Sequence, residues 1–325
     1  MQARMILALV GLAAATMPLS GSSAQAQQKF PSRSITYVVP LAAGSTTDVA
    51  ARLIAQRVSQ TLGVNIVIEN KPGASTMLGS GAVAKAEPDG HTLLMGASSL
   101  TVNQNLFKTV PFDTEKDFAP VSLLVTAPLV LVVNPAVEAK TLGEFLAKYK
   151  KDGVTFASPG PGTMLGLATE VFKQKSGLDV KVAVYRGGGP ALADVIGGHV
   201  PAMFGTPVVK QNLEKGDVRA LAVTGPKRLD LLPDVPTFVE ARLPMPEVDA
   251  GAWFGLLAPA GTPKDVVALL NREFNAAVKD AEVQAALIKA GLIPHGTTPE
   301  EFTDFIRAEI KRWPPIFGRA GIVPQ

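Results

Sequence analysis

Residues Ile35 to Arg52 read I-T-Y-V-V-P-L-A-A-G-S-T-T-D-V-A-A-R. The run Ile35 to Val39 is rich in strand formers and stops at Pro40, which cannot donate to a sheet ladder. Small residues follow, with a glycine at Gly44 and hydroxyls at Ser45, Thr46 and Thr47. Val49, Leu53, Ile54, Val58 and Leu62 then recur at helical spacing, and Gly63 supplies a stop. The stretch is therefore one strand, one short donor-rich loop and one helix.

That unit recurs along the chain. Strands are expected at Asn65 to Glu69, His91 to Met95, Leu129 to Val133, Val154 to Ala157, Val180 to Tyr185, Val200 to Phe204 and Arg219 to Val223. Helices are expected at Lys140 to Lys150, along Leu165, Ala168, Val171 and Phe172 up to Gly177, and at Ala191 to Ile196. Such alternation predicts an α/β fold of mainly parallel sheets covered by helices. The C-terminal part is helical. Thr262-Pro263-Lys264-Asp265 and Thr298-Pro299-Glu300-Glu301 each read as a Thr cap, a Pro in the first turn and an acid three residues on. Val266, Leu270, Phe274 and Val278 form one core stripe; Phe302, Ile306, Ile310 and Trp313 form another.

Two apolar stretches suggest a boundary crossed twice: Ala127-Pro128 before the strand at Leu129, and Trp253 to Pro259. They divide the chain into a signal peptide at 1–26, a discontinuous first lobe at 27–128 plus 254–325, and a second lobe at 129–253. The crossing strands would serve as a hinge.

Composition narrows the function. The 31 basic and 28 acidic residues are scattered, so no basic run tracks a nucleic-acid backbone. Cysteine is absent, which removes disulfides, thiolate metal sites and cysteine nucleophiles. The three histidines, His91, His199 and His295, show no ligand spacing. No G-x-S-x-G elbow, Walker loop or H-E-x-x-H is present. At the N-terminus, Arg4 precedes the uncharged stretch Met5 to Met17, and Ala24-Gln25-Ala26 fits a small-x-small cleavage site. Thirteen residues make a helix of about 20 Å, short of a bilayer core of roughly 30 Å, so cleavage after Ala26 and export are expected rather than a membrane anchor.

Three loops share the design of the opening stretch: Pro40 to Asp48; Ser158-Pro159-Gly160-Pro161-Gly162-Thr163; and Tyr185-Arg186-Gly187-Gly188-Gly189-Pro190. A helix start carries unpaired N–H groups and partial positive charge, and glycine lets a ligand approach, so such loops suit a carboxylate or phosphate. A tight β–α connection with ordinary caps is the plainer alternative for any one of them. Asn70 to Gly79, with Ser75 and Thr76, and Ala97-Ser98-Ser99 are further candidates. Leu41, Met77, Met164 and Phe254 offer an apolar wall. Neither Ser45 nor Ser158 has a local base, so an exported serine hydrolase is the weaker alternative to a protein that binds and releases.

Several stretches in order resemble the Bug family, the periplasmic substrate-binding receptors of tripartite tricarboxylate transporters. They are Val39-Pro40 with Gly44 and Asp48 to Arg52; Asn70 to Ala74; Pro88 to Leu94; Tyr185-Arg186-Gly187 with Pro190 to Leu192; Arg219 to Thr224; Leu232 to Thr237; and Leu256 to Pro263. The resemblance implies a two-lobed, type II-like periplasmic binding protein with a small mono- or dicarboxylate in the cleft, membrane transporter subunits as partners, no cofactor, no metal and no catalysis. A ligand sensor feeding a two-component system is the other reading. Carried onto this chain, the ligand loops are Leu41, Ala42, Ala43, Gly44, Ser45, Thr46 and Thr47, and Ser158, Gly160, Gly162 and Thr163. Ser75, Thr76, Ser98, Arg186, Gly187, Gly205, Thr206 and Phe254 complete the expected site, with an exposed position as the alternative for Arg186. The chain departs from the family at Leu41 and Ser45, where an aromatic and a second glycine are common, at Ser75-Thr76 and at Pro161. It also has Gly205-Thr206 where many members carry an acid, which argues against an amino-acid ligand. A periplasmic monomer is expected.

Overall fold

The computed structural model describes residues 30–320 and 322–324. The expected signal peptide and its cleavage site lie outside the described residues.

Among the described residues, eleven strands form two sheets. They are β1 Ile35–Val39, β2 Ile66–Asn70, β3 Thr92–Ala97, β4 Phe118–Ala127, β5 Val130–Val133, β6 Val154–Ser158, β7 Val180–Val184, β8 Ala202–Gly205, β9 Arg219–Val223, β10 Ala252–Pro259 and β11 Ile293–Pro294. The helices are α1 Thr46–Leu62, α2 Met77–Ala84, α3 Ser99–Leu106, α4 Leu142–Tyr149, α5 Met164–Ser176, α6 Gly188–Ile196, α7 Lys210–Lys215, α8 Lys264–Lys279, α9 Ala281–Lys289 and α10 Pro299–Ala320. The first sheet runs β11-β4-β10-β3-β1-β2 and the second β7-β6-β8-β5-β9.

The α/β class stands, but both sheets are mixed rather than mainly parallel. β1 pairs parallel with β2 and β3, and β6 parallel with β7 and β8, as β–α–β units require. The strands next to the crossings enter the other way: β10 is antiparallel to β3 and β4, and β5 to β8 and β9. The chain leaves the first sheet after Ala127, joins the second at Val130, and returns between Val223 and Ala252.

β4 is the longest strand and is not among those read from the sequence. Its Pro120 falls opposite Leu257, beside a register shift in β10, where a missing N–H is tolerated. Every residue of β5 and of β10 is buried, as a central strand covered on both faces demands.

Capping follows local chemistry. Ser45 and Thr163 cap α1 and α5 through their hydroxyls, and Gly63 and Gly177 end those helices in the left-handed region. Thr298 and Glu301 form a reciprocal capping box at α10. Thr262 does not cap α8; its hydroxyl donates to the Pro259 carbonyl at 2.7 Å, closing the turn off β10, and Pro263 takes the cap position. The last turns of α10 reach the second sheet's elements: Arg312 donates to the Glu247 carbonyl, and Glu247 pairs with Lys175 of α5 at 3.0 Å.

Candidate functional site

The carboxyl ends of β1, β3, β6 and β8 point at one another across the gap between the sheets. Helices α1, α3, α5 and α6, which follow β1, β3, β6 and β7, start there. A narrow cavity of about 50 Å³ lies between them, room for a few waters at roughly 10–15 Å³ each. Ser45 to Thr47 of the α1 start, Ser98 and Ser99 of α3, Thr163 to Leu165 of α5 and Gly188 of α6 all line it. Four helix N-termini thus face one small space, and among the described residues no charged side chain lines it. The field inside is positive without a formal cation.

The first helix start is prepared by its own residues. Ser45 N donates to the Ala42 carbonyl, and the Ser45 hydroxyl accepts from Asp48 N. The N–H groups of Thr46 and Thr47 are left as the unspent donors of the turn. α5 repeats the pattern: Thr163 N donates to Gly160 O, and the Thr163 hydroxyl accepts from Gly166 N. Met164 and Leu165 are left in the same way. The buried Thr47 hydroxyl lines the cavity and has no hydrogen-bond partner among the described residues. An orphaned donor of this kind costs stability unless something else engages it.

Behind the first loop stands a brace that sequence reasoning did not assign. Asp48 accepts from Gly44 N and Arg52 Nε at one oxygen and from Asn70 Nδ2 at the other. Asn70 Nδ2 also donates to the Leu41 carbonyl. Burial pushes the Asp48 carboxyl up, but the bonds from Arg52, Gly44 and Asn70 and the Arg52 charge outweigh it and hold the group below its ordinary value. The available signal was an acid three residues after Ser45, the spacing of a capping box; here it reaches back to Gly44 instead.

Of the residues expected in the site, Leu41, Ser45, Thr46, Thr47, Thr76, Ser98, Thr163, Thr206 and Phe254 line the cavity. The others do not, and each has an evident occupation. Ala42 N donates to the Arg186 carbonyl at 3.3 Å, while Ala43 and Gly44 are exposed. The Ser75 carbonyl accepts from Asn103, and the Ser158 hydroxyl accepts from Gly160 N. Gly160, Gly162 and Gly187 are contact points between the two sides: a Cβ on Gly160 would stand 2.9 Å from Ser75 Oγ, one on Gly162 2.9 Å from the Phe107 ring, and one on Gly187 3.1 Å from Ala42. Gly205 lies beside the cavity rather than on it, next to Thr206, which does line it. Arg186 is exposed and contributes its carbonyl, not its guanidinium. Met77, offered for the apolar wall, is absent from the lining, which Met164 and Phe254 do supply. Pro159, Leu165 and Ala252 also line it and carry no side-chain signal that a sequence would show.

The two sides touch each other directly. Thr46 Oγ1 lies 2.6 Å from Thr206 Oγ1, joining the α1 start to the end of β8. Among the described residues no histidine lines the cavity, and the Ser45 hydroxyl accepts from Asp48 N. No metal-holding cluster occurs among the described residues.

Comparison with known proteins gives one consistent answer. The family model of the tripartite tricarboxylate transporter family receptor matches residues 50–322. The periplasmic binding protein BugD superposes with a TM-score of 0.88 at 30% identity, covering 91% of this chain and 100% of that one. Rpa4515 of R. palustris, solved with adipate, gives 0.86 at 32% identity over 91% and 100% of the two chains. MatC of Rhodopseudomonas palustris, solved with bound malate, gives 0.82 at 34% identity over 88% and 99%.

Proposed function

Because the chain belongs to the tripartite tricarboxylate transporter receptor family, whose members are substrate-binding proteins and not enzymes, we propose that it captures a small carboxylate in the periplasm between two hinged lobes and hands it to membrane transporter subunits. The lobes are residues 27–128 with 254–325, and 129–253, the hinge being the two crossings of the chain.

The observation that carries this reading is the uncharged cavity at four helix starts, with the buried Thr47 hydroxyl unpartnered beside it. A ligand carboxylate accepts from Thr46 and Thr47 on one side and from Met164 and Leu165 on the other, with the Thr46, Thr47 and Thr206 hydroxyls as side-chain donors. Hydrogen bonds to a charged group contribute roughly 1.5–3 kcal/mol each. Two to four of them, less the cost of association, support micromolar binding at about −8 kcal/mol. Donors from both lobes are in reach together only in the shut form, so binding and closure are coupled. Neutral donors hold an anion without the tight grip of a buried arginine pair, which suits release.

The adipate and malate carried by two of the similar structures support a dicarboxylate. Among the described residues no carboxylate side chain lines the cavity to meet an ammonium group, which disfavours an amino acid. The test is a melting panel of the mature protein with malate, adipate, citrate, benzoate, nicotinate and aspartate. A true ligand at a hundredfold excess over its dissociation constant adds about 2.7 kcal/mol, roughly 5 °C for a chain of this size. Mass spectrometry of what co-purifies identifies it independently. A panel in which no acid moves the melt counts against the reading.

A further inference from the structure

Between β2 and α2 the chain turns against the hand that L-residues prefer. Ala74, Ser75 and Thr76 follow one another at φ 45°, 49° and 76°. All three carry a Cβ, which left-handed backbone crowds against the next carbonyl, most of all in a β-branched residue such as Thr76. Glycine would sit there without that cost. Such a turn persists only where its surroundings fix it. Here α3 does so. The Ser75 carbonyl accepts from Asn103 Nδ2 at 2.8 Å, and the Thr76 hydroxyl donates to Ser99 Oγ at 2.6 Å.

Thr76, Ser98 and Ser99 are buried and lie together on the wall of the ligand cavity. A hydroxyl that accepts a bond still has its own proton to give. Ser99 accepts from Thr76, and Ser98 accepts from Trp253 N of β10 at 2.9 Å. Neither hydroxyl donates to a partner among the described residues. A buried donor without an acceptor costs stability until something engages it. This pair stands apart from the donors assigned above to the carboxylate, which sit at the starts of α1 and α5. α3 follows β3, and β3 lies beside β1 in the sheet. Neighbouring strands are about 4.8 Å apart, a distance that a short dicarboxylate bridges.

We propose that Ser98 and Ser99 read the second acidic group of a short dicarboxylate, and that Thr76 is a positioning residue, held in its left-handed conformation because its hydroxyl aims Ser99. The proposal rests on the carboxylate reading above and deepens it by naming the side chains that separate a diacid from a monoacid of the same length. Thr76 need not touch the ligand. Its bond occupies one side of the Ser99 oxygen and so directs the Ser99 proton elsewhere, and a hydroxyl that accepts becomes a better donor. Threonine at this position gives up backbone ease for ligand selection; glycine would reverse both.

Calorimetric titration of succinate against butyrate, two acids of one chain length, measures the selection. The parent should bind succinate at least about tenfold more tightly. Ser99→Ala should lower succinate affinity by about tenfold to a hundredfold and leave butyrate unchanged. Thr76→Ala and Thr76→Gly should repeat that loss, and Thr76→Ser, which keeps the hydroxyl, should restore the parent's preference. Melts without ligand check the strain. Thr76→Gly should melt roughly 2–4 °C above Thr76→Ala, although both lack the hydroxyl and alanine is the stabilising residue of the two in ordinary backbone. A parent that binds butyrate as tightly as succinate overturns the proposal and leaves the carboxylate reading standing. A parent that binds neither also overturns it, and the wider acid panel then decides the carboxylate reading alone. Ser99→Ala with the parent's succinate affinity, losses at Thr76 that fall on both acids alike, or equal melts for the alanine and glycine variants would each overturn it too; if a Thr76 variant does not fold, Ser99→Ala decides.

Discussion

The hydroxyls of Thr46 and Thr206 meet at 2.6 Å, the first at the start of α1 on the first sheet and the second at the end of β8 on the second. One hydroxyl must donate and the other accept, so each keeps a free lone pair and one of them has spent its proton. A bound carboxylate between them would turn both into donors. The contact that joins the two sides is thus made by groups that the proposed ligand would also use.

Thr206→Val keeps the shape and removes the hydroxyl. The empty protein loses one bond, about 1 kcal/mol of closed-form stability, while ligand affinity falls by roughly tenfold to a hundredfold. Thr46→Val behaves alike. Calorimetric titration of both single variants and the double should show coupling between them, as expected of groups that share one ligand. Strict additivity would separate the two hydroxyls from a common site.

Thr47→Val should split stability from binding. The Thr47 hydroxyl is buried without a partner, so its removal leaves the melting temperature unchanged or raises it slightly. The same change should weaken the carboxylate by about 1.5–3 kcal/mol if that hydroxyl donates to it. A variant that binds as tightly as the parent would take Thr47 out of the site.

Asp48 carries a pH dependence whose sign follows from its partners. Its folded carboxyl is held below the ordinary value, so its contribution is present above the unfolded value of about 3.9 and is lost as pH falls through the folded value. Asp48→Asn removes that dependence. Its melting temperature should change less than the parent's between roughly pH 5 and pH 3. Near neutrality it should be less stable by about 1–3 kcal/mol, chiefly through the bonds to Gly44 and Asn70, since the half-exposed Arg52 pair is weakened by solvent. Parallel pH profiles for the two proteins would refute this.

What could be read from residues alone was local. Ser45, Gly63, Thr163 and Gly177 announce the ends of α1 and α5 because caps are chosen by the backbone next to them. The donors at Thr46, Thr47 and Thr163 follow from those ends. Contacts between the halves were not legible. Gly160 and Gly162 look like ligand-approach glycines in the sequence, yet here their bare backbone admits Ser75, Asn103 and Phe107 from the other side. Arg186 looked like a candidate anion clamp and instead lends its carbonyl to Ala42. β4 was hidden by Pro120, whose place opposite a shifted register in β10 only pairing reveals.

Gly162→Ala puts the closure argument to its sharpest test. Gly162 does not lie in the left-handed region, so alanine there carries no backbone strain. Its added methyl would meet Asn103 Oδ1 and stand 2.9 Å from the Phe107 ring, and both neighbours belong to the elements of the first sheet. The clash exists only when the two sides are together. The variant should therefore fold and melt within a few degrees of the parent, while its ligand affinity falls by at least tenfold and small-angle scattering shows a larger radius of gyration, unchanged by ligand. Fold and binding both intact would mean that Gly162 and Asn103 do not meet in the bound state, and the shut geometry described here would not be the one that holds the ligand.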